Sequence, residues 1–228
     1  MAGIKQSEVC VMLPAFNEEK NISRVVGEIK GLGYFVLVVD DGSGDKTADE
    51  AKKSGVEVLM ADRNEGKGAA LQRGFRWFLD HDYRALVMMD SDGQHDPKEL
   101  DLFLRALNEE KGDFIVGNRM KDPEEMPFIR VLTNRFMSWL ISQIAKQKIP
   151  DSQCGYRAAR REVLKSIHLS TNRFETESEM LLEASRLGFH IDSISIRSVY
   201  ASESSHIRPV RDTLRFFSFL FRYLSGKK

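Results

Sequence analysis

The chain of 228 residues lacks several features that would each point to a class of protein. Its two cysteines, Cys10 and Cys154, are too few for a disulfide framework and favour reduced thiols in the cytosol. No Cys/His cluster has the spacing of a zinc site. The 34 basic and 34 acidic residues cancel, which argues against the broad basic surface that general nucleic-acid binding requires.

Long apolar runs are missing as well. The N-terminus has no hydrophobic segment of the kind found in signal peptides. The longest apolar stretches, at 34–39 and 216–221, are far shorter than the roughly 18–20 residues that span a bilayer. These absences favour a cytoplasmic protein. At 42% hydrophobic and 30% charged residues, the composition still supplies the core of a globular domain.

The first half of the chain alternates short apolar runs with helical segments. The apolar runs predict strands at 9–13, 35–39, 56–60, 85–89 and 114–116. Periodicity and capping residues predict helices at 18–29, 45–54, 69–81 and 97–110. Strands that are apolar throughout and alternate with helices predict an α/β fold, with a mostly parallel sheet covered by helices on both faces.

The second half has a different pattern. It predicts helices at 126–147, 160–167, 175–187 and 210–225, and an alternating strand at 191–199. A loop with Pro150 and Gly155 follows the first of these helices. Because no linker or repeat separates the halves, we predict a single domain at 1–209, divided at about residue 120, and a C-terminal helix at 210–228. The parts at about 8–120 and 121–209 would form opposite walls of one site.

A polar cluster follows each of the first five predicted strands, at 14–18, 40–43, 64–68, 90–94 and 117–119. Ligands of parallel sheets bind at the carboxyl ends of the strands, so we expect these clusters to form one site. Asp90, Asp92 and Gln94 carry hard oxygen atoms that suit Mg²⁺ or Mn²⁺, and Gly93 permits a turn between them. Taken alone, the segment could also be a solvated acidic turn.

Two of the clusters are ambiguous by themselves. Asp41 could accept a hydrogen bond from a nucleotide base, whereas Ser43 or Asp45 could simply cap a helix. Receiver domains of bacterial signalling also carry paired aspartates at a strand end. The GKG sequence at 66–68 lacks the spacing of a P-loop. It could be a flexible turn, or its glycines could allow close approach of the backbone to a ligand.

Taken together, the segments resemble the family 2 glycosyltransferases of the GT-A (Rossmann-like) fold. They are LPAFNE at 13–18, VDDGS at 39–43, GKGAA at 66–70, MDSDGQH at 89–95 and GNR at 117–119. Two later segments, DSQCGYR at 151–157 and FETE at 174–177, resemble the dolichol-phosphate mannosyltransferase branch, which attaches sugars to polyprenyl phosphates. The resemblance extends from about residue 9 to about residue 215, and it specifies the family better than the sugar.

The resemblance implies roles for individual residues. The nucleotide-sugar would be bound by Pro14, Phe16, Glu18, Asp41, Lys67, Asp90, Ser91, Asp92 and Arg208. Asp92 and Gln94 would be the metal ligands, and Asp90, Asp92 and Arg119 would be catalytic. Arg119, Arg130 and Asn134 would hold the acceptor phosphate. Phe16 stands where many relatives have tyrosine, which removes a hydroxyl contact. Arg130 and Asn134 are one turn apart, a spacing also found on ordinary exposed helix faces.

The implied activity is a metal-dependent, inverting transfer of a hexose to a polyprenyl or dolichyl phosphate, with mannose and GDP-mannose favoured. A UDP-sugar-dependent transfer of glucose or an N-acetylhexosamine, to a lipid phosphate or a glycan, is the alternative. A non-catalytic nucleotide-binding regulatory module is the alternative from another class. Glu177 could bind sugar hydroxyls or cap a helix, and a paired role with Glu175 is disfavoured by their spacing. His206 and Arg208 lie in a polar loop that could close over the donor or remain at the surface.

The C-terminal segment changes the meaning of the zero net charge. Residues 206–228 contain six Lys+Arg and one Asp, a net charge of +5, so the remaining residues carry −5. Arg211, Arg215, Ser218 and Arg222 form a basic stripe on a helix that is otherwise aromatic and aliphatic. The helix could pack on the body or a second subunit, or lie on an anionic membrane, which would place the protein peripherally on a cytoplasmic membrane face. The oligomeric state stays open.

Overall fold

The computed structural model describes residues 3–123, 126–197 and 209–225, the side chains of the last range from residue 215. Within these ranges the strands are β1 (Val9–Ala15), β2 (Phe35–Asp40), β3 (Glu57–Met60), β4 (Ala85–Met88), β5 (Phe114–Asn118), β6 (Arg157–Arg160) and β7 (Ile191–Ser195). The α-helices are α1 (Ile22–Gly31), α2 (Thr47–Lys53), α3 (Lys67–Leu79), α4 (Leu100–Asn108), α5 (Phe128–Ala145), α6 (Arg161–Ser166), α7 (Glu175–Arg186) and α8 (Pro209–Leu224).

The strands form one seven-stranded sheet in the order β3-β2-β1-β4-β6-β5-β7. β1 pairs in parallel with β2 on one side and β4 on the other, and β2 pairs in parallel with β3. Every residue of β1 is buried, which agrees with its continuous apolar run. The predicted α/β class with a mostly parallel sheet is therefore confirmed, and the carboxyl ends of β1, β2, β4 and β5 meet at one edge.

One strand of the sheet was missed by sequence reasoning. The loop predicted before residue 160 contains β6, which lies antiparallel between β4 and β5, and α6 begins only at Arg161. Its sequence, RAAR, has neither β-branched nor aromatic residues, so its pattern does not indicate a strand. Because β6 runs opposite to its neighbours, its beginning lies at the edge where they end. This direction delivers segment 151–156 to the predicted site.

The helix boundaries differ from prediction at a few ends. α1 begins at Ile22 rather than at residue 18, because the segment before it forms a turn over the loop after β2. The helix predicted at 97–110 begins with a 3-10 turn, Pro97–Glu99, before α4. β7 is shorter than the predicted 191–199 and pairs in parallel with β5. Residues 198 and 199 lie outside the described ranges.

The C-terminal helix α8 packs one face on the body, against α7. Phe216, Phe219 and Leu220 are buried, whereas Phe221 is 74% exposed. In the predicted basic stripe, Arg215 is half-buried, whereas Ser218 and Arg222 are exposed. The side chain of Arg211 lies outside the described residues. None of the helices in the described ranges has the length and apolar content that crossing a membrane requires.

Candidate active site

Hydrogen bonds join the loops after β1 and β2 at the site edge. Asn17, with φ 58°, donates its N–H to Ser43 Oγ at 2.9 Å, and its Oδ1 accepts from Gly44 N at 2.9 Å. The hydroxyl of Ser91 donates to the carbonyl oxygen of Pro14 at 2.8 Å, which ties the end of β4 to β1. Phe16 is half-buried between these anchors, as is the neighbouring Glu18. These hydrogen bonds thus fix the position of the loop after β1, which carries Phe16 and Glu18, two of the residues predicted to bind the donor.

Asp41 organises the loop that follows β3. Its carboxylate is 3% exposed and accepts hydrogen bonds from the backbone N–H of Glu65 at 3.1 Å and of Gly66 at 2.7 Å. Burial raises the pKa of Asp41, and the two hydrogen bonds oppose that rise. Through these two bonds Asp41 holds the loop after β3 in place. The predicted contact of Asp41 with a nucleotide stays a prediction.

Lys67 lies between two carboxylates from opposite halves of the chain. Its Nζ is 2.5 Å from Asp90 Oδ1, at the end of β4, and 3.0 Å from Glu177 Oε1, in the first turn of α7. Burial would lower the pKa of Lys67, but the two carboxylates outweigh it and raise that pKa. Burial likewise opposes the ionisation of Asp90, yet Lys67 holds the pKa of Asp90 below its usual value. Sequence reasoning placed Lys67 at the donor but did not predict its link to Glu177.

The glycines beside Lys67 make room for protein backbone. Gly66 has φ 108°, and a Cβ there would lie 2.5 Å from the carbonyl oxygen of Asn172. A Cβ at Gly68 would overlap Thr176 Oγ1. The N–H of Ala69 also donates to Asn172 O at 3.0 Å. The glycines of the GKG turn therefore allow it to pack against the segment before α7. The sequence suggested a flexible turn or close approach to a ligand, and neither interpretation includes this contact.

The predicted metal ligands share one tight turn. Asp92 Oδ1 accepts a hydrogen bond from the N–H of Gln94 at 3.0 Å, and Gly93 between them has φ 77°. Both side chains are half-buried, and their carboxylate and amide oxygens are the hard donors that Mg²⁺ and Mn²⁺ prefer. Among the residues that the structure describes, no group of three or more His, Cys, Asp or Glu side chains could hold a metal ion. The pair fits a cation whose other ligands come from a diphosphate.

His95 is a buried neighbour of Asp90 to which sequence reasoning gave no role. Its Nε2 is 4.0 Å from Asp90 Oδ2, and its ring lies 5.1 Å from that of Tyr156. Burial lowers the pKa of His95 to about 4, so the imidazole is neutral near pH 7. Within the described residues its Nδ1 has no hydrogen-bond partner.

Arg119 is fixed by Asp151 in a buried ion pair. The guanidinium donates from Nε to Asp151 Oδ2 at 2.8 Å and from Nη2 to Oδ1 at 3.0 Å, and the Arg119 N–H also donates to Oδ2 at 3.1 Å. The adjacent Ser152 donates its N–H to Ser138 Oγ of α5 at 2.8 Å. Segment 151–152 therefore joins the end of β5 to α5. Asp151 belongs to the DSQCGYR segment that carries the family resemblance, but the resemblance implies no role for it.

The rest of segment 151–157 closes on Asp90. A Cβ on Gly155 would lie within 2.6 Å of Asp90 Cγ, so only glycine leaves this carboxylate in place. The fully buried guanidinium of Arg157 secures the segment by donating to the carbonyl oxygens of Cys154 at 2.6 Å, Ser152 at 2.7 Å and Glu177 at 2.5 Å. Segment 151–157 and the Asp90 carboxylate after β4 thus form one packed unit.

Two of the remaining predicted residues, Arg130 and Asn134, lie on α5. Asn134 is 7% exposed and its Nδ2 lies 3.9 Å from Met126 Sδ, while Arg130 is half-buried. Asn134 is therefore not on an exposed helix face, whereas Arg130 is partly exposed. Arg208 and His206, predicted to lie in a loop over the donor, fall outside the described residues.

Comparison with known proteins agrees with this site. The family profile Glycosyl transferase family 2 matches residues 10–167. The undecaprenyl-phosphate mannosyltransferase of Micrococcus luteus is 32% identical over 206 residues, which are 84% of this chain and 83% of the relative. The UDP-N-acetylglucosamine--dolichyl-phosphate N-acetylglucosaminyltransferase of Methanococcus voltae is 29% identical over 219 residues, 86% of this chain and 87% of the relative.

The architecture also matches a solved enzyme. Glucosyl-3-phosphoglycerate synthase from Mycobacterium tuberculosis, in complex with Mn²⁺, UDP and glucosyl-3-phosphoglycerate, superposes with a TM-score of 0.71 at 22% identity. The alignment covers 96% of this chain and 79% of that one, and it confirms the predicted GT-A fold. The family match excludes the interpretation as a non-catalytic regulatory module. The chain belongs to glycosyl transferase family 2 and is a glycosyltransferase.

Proposed function

We propose that the chain transfers a sugar from a nucleotide-sugar to a polyprenyl phosphate. The observation that best supports this proposal is the meeting of two sets of groups at Asp90. Lys67 contacts its carboxylate on one side, and Gly155 of the acceptor-side segment packs on it from another. The two curated relatives, by their names, act on undecaprenyl and dolichyl phosphate, which supports this class of acceptor.

On the donor side, we infer that the braced strand ends enclose the nucleotide-sugar. Pro14, Phe16, Glu18, Asp41, Lys67, Asp90, Ser91 and Asp92 are the residues proposed for this role, together with Arg208, which lies outside the described residues. Asp92 and Gln94 would hold Mg²⁺ or Mn²⁺, which when bound would neutralise negative charge on the departing diphosphate. The Mn²⁺ and UDP of the mycobacterial structure support this inference.

On the acceptor side, we assign the lipid phosphate to Arg119, Arg130 and Asn134. A phosphate monoester has its second pKa at about 6, so it is already anionic at neutral pH and needs no general base. The protein then has to position the phosphate oxygen for in-line attack on the anomeric carbon, with inversion of configuration. Asp151 contributes by fixing the Arg119 guanidinium through two side-chain hydrogen bonds.

The sugar and the nucleotide are finer proposals. Mannose from GDP-mannose is the favoured pair, and the mannosyltransferase of Micrococcus luteus supports it. Transfer from a UDP-sugar is the second candidate, supported by the relative from Methanococcus voltae. We also infer a catalytic domain at 1–209 and a peripheral position on a cytoplasmic membrane face, to which the C-terminal helix at 210–228 would contribute.

A direct assay tests the reaction. The full chain is incubated with undecaprenyl phosphate in detergent, Mn²⁺ and one of GDP-mannose, UDP-glucose or UDP-N-acetylglucosamine. We expect one donor to yield a lipid-linked sugar and an equal amount of nucleoside diphosphate, with the anomeric configuration inverted in NMR spectra. Asp92→Ala should lower kcat by about 100-fold or more, whereas the exposed Asp62→Asn should leave it unchanged.

Each part of the proposal can fail separately. Donor binding in a thermal-shift panel without any lipid product would refute polyprenyl phosphate as the acceptor. Full activity of Asp92→Ala, or activity unaffected by EDTA, would refute the metal site while leaving the transfer reaction in place.

A further inference from the structure

A groove lies along the outer side of α3, where this helix meets the segment before α7. Its volume is about 490 Å³. Cavities that bind small molecules have volumes of about 300–1,000 Å³. Three arginines and three amide side chains contribute to its lining, and we call this set the α3 basic groove: Arg63, Arg76, Arg173, Asn64, Gln72 and Asn172.

The α3 basic groove faces away from the sheet. Gly74 marks the side of α3 that packs on the sheet, because a Cβ there would overlap Met12 of β1. Gln72 and Arg76 are each two residues from Gly74, so they project about 160° away from it around the helix axis. The groove therefore lies on the solvent side of α3 and is distinct from the cluster at Asp90.

The charges of the groove are basic, although the body of the protein is acidic. Outside the basic C-terminal segment the chain carries a net charge of −5. Arg63, Arg76 and Arg173 are exposed, and within the described ranges none of them takes part in an ion pair. Glu65, the acidic residue of the lining, is already paired with Arg73 at 2.8 Å. Like charges that converge without acidic partners favour an anionic ligand.

Arg73 gives a second indication of a ligand. Its Nη2 donates to Glu65 Oε2 at 2.8 Å, whereas its Nη1 is shielded from solvent and has no hydrogen-bond partner among the described residues. Buried donors of this kind are rare in folded proteins, because leaving one unpaired costs free energy. An anion bound in the groove next to Glu65 would supply the acceptor.

Hydrogen bonds hold both walls of the groove. On one wall, Asp41 fixes the loop after β3 through two backbone N–H groups. On the other wall, the buried carboxylate of Glu179 accepts from the N–H of Ser170 at 2.9 Å and of Thr171 at 3.0 Å. Gln72 joins α3 to this wall by donating from Nε2 to Thr171 O at 2.8 Å. Binding to walls that are already ordered costs less entropy than binding to mobile segments.

The number of arginines favours a ligand with two linked phosphate groups. Arginine binds phosphate oxygens with two parallel hydrogen bonds, so one or two guanidinium groups satisfy a single phosphate. The groove presents three, from three different segments of the chain. The side-chain amides of Asn64 and Gln72 can form hydrogen bonds with the rest of a larger ligand.

We propose that the α3 basic groove binds a diphosphate through Arg63, Arg76 and Arg173. The proposed reaction releases a nucleoside diphosphate, so this product and free inorganic pyrophosphate are two sources of the same chemistry. Only the first source rests on the proposed function, and the binding itself requires no catalysis. A diphosphate between Arg63 and Arg173 also ties the loop after β3 to the segment before α7.

Chemical modification of arginine locates the ligand. The full chain is treated with phenylglyoxal in EDTA, and mass spectrometry follows the modification of each arginine. We expect inorganic pyrophosphate to slow the modification of Arg63, Arg76 and Arg173 by at least about fivefold. Arg105, which is exposed on α4, is the internal control and should react at an unchanged rate. EDTA removes the metal through which pyrophosphate could also bind at the candidate active site.

Calorimetric titration in EDTA tests the residues. Arg76→Gln combined with Arg173→Gln should weaken pyrophosphate binding by at least about tenfold. Arg105→Gln combined with Lys165→Gln removes the same charge from exposed positions on α4 and α6 and is the matched control, with no change expected. Inorganic phosphate should bind the wild type at least about tenfold more weakly than pyrophosphate does. Circular dichroism and thermal melting check that each variant is folded.

Three results would overturn the proposal. Protection that is absent, or that extends equally to Arg105, would show general ionic shielding rather than a site. Equal pyrophosphate affinity of the groove variant and the wild type would place the binding elsewhere. Equal affinity of the wild type for phosphate and pyrophosphate would refute the assignment to a diphosphate.

Nucleotides separate the two sources and the two proposals. Protection of the groove arginines by UDP or GDP at a lower concentration than by pyrophosphate would identify a nucleoside diphosphate as the ligand, and the reverse order would identify free diphosphate. Protection without any sugar transfer would refute the proposed function and leave the groove intact. Sugar transfer without protection would refute the groove and leave the function intact.

Discussion

Replacement of Lys67 by methionine tests the link between the two halves of the site. The change keeps most of the side-chain volume but removes the cation that lies 2.5 Å from Asp90 and 3.0 Å from Glu177. The side chains of Lys67, Asp90 and Glu177 are 17%, 28% and 12% exposed, so the two carboxylates would be left facing each other with little solvent.

The magnitude follows from this burial. Removing one partner of a buried ion pair costs about 3–5 kcal/mol, and the partial exposure of Asp90 favours the lower end, about 3 kcal/mol. For a protein of this size that corresponds to a fall in Tm of roughly 6–12 °C. Glu177→Gln keeps a hydrogen bond to Lys67 and should cost about 1 kcal/mol. In the Lys67→Met, Glu177→Gln double variant the two costs should not add, because the second change removes one of the unpaired charges.

Differential scanning calorimetry and urea unfolding in EDTA measure these differences on the full chain. Lys53→Met is the matched control, since it removes the cation of a 2.6 Å ion pair with Glu50 in which the lysine side chain is 68% exposed, and it should leave Tm nearly unchanged. If Lys67→Met has the same Tm as the wild type and as Lys53→Met, the ion pairs between Lys67, Asp90 and Glu177 do not stabilise the fold and the reasoning fails.

Two other predictions concern a glycine and a buried glutamate. Gly155→Ala should lower kcat by about 100-fold by displacing Asp90, with overpacking that costs about 1–3 kcal/mol, whereas Gly27→Ala, with nothing within 4 Å of the new Cβ, should leave turnover unchanged. Wild-type turnover in Gly155→Ala would contradict the packing of segment 151–157 on Asp90. Burial raises the pKa of Glu99, whose Oε2 lacks a partner among the described residues, so its contribution to stability is present at low pH and is lost as pH rises through its folded-state pKa. Glu99→Gln should therefore raise Tm at pH 8 and have little effect at pH 4, and a Tm difference independent of pH would refute this assignment.

The first half of the sheet could be predicted because its signals are local. β1, β2 and β4 are continuous apolar runs that end in polar clusters, and parallel strands place those ends together. The turn through Asp92, Gly93 and Gln94 is likewise predictable, because it is formed by three adjacent residues. These features need no information from distant parts of the chain.

The missed features depend on contacts between distant segments. The Lys67–Glu177 and Arg119–Asp151 pairs leave no periodic or spacing signal, because their members belong to different elements. β6 owes its strand conformation to pairing on both sides rather than to its own residues. α5 is apolar around most of its circumference, so periodicity alone could not distinguish its buried side from its exposed one.

The antiparallel β6 has a consequence for how the molecule can be synthesised and divided. β4 has β1 and β6 as its partners, while β5 pairs with β6 and β7. A fragment that ended near residue 120 would leave one edge of β4 open and β5 without either of its partners, a state prone to aggregation. On the ribosome, the site cannot close until residue 160 has emerged. The two halves of the sheet are therefore one folding unit, and truncation at the apparent boundary near residue 120 would be expected to yield insoluble chains.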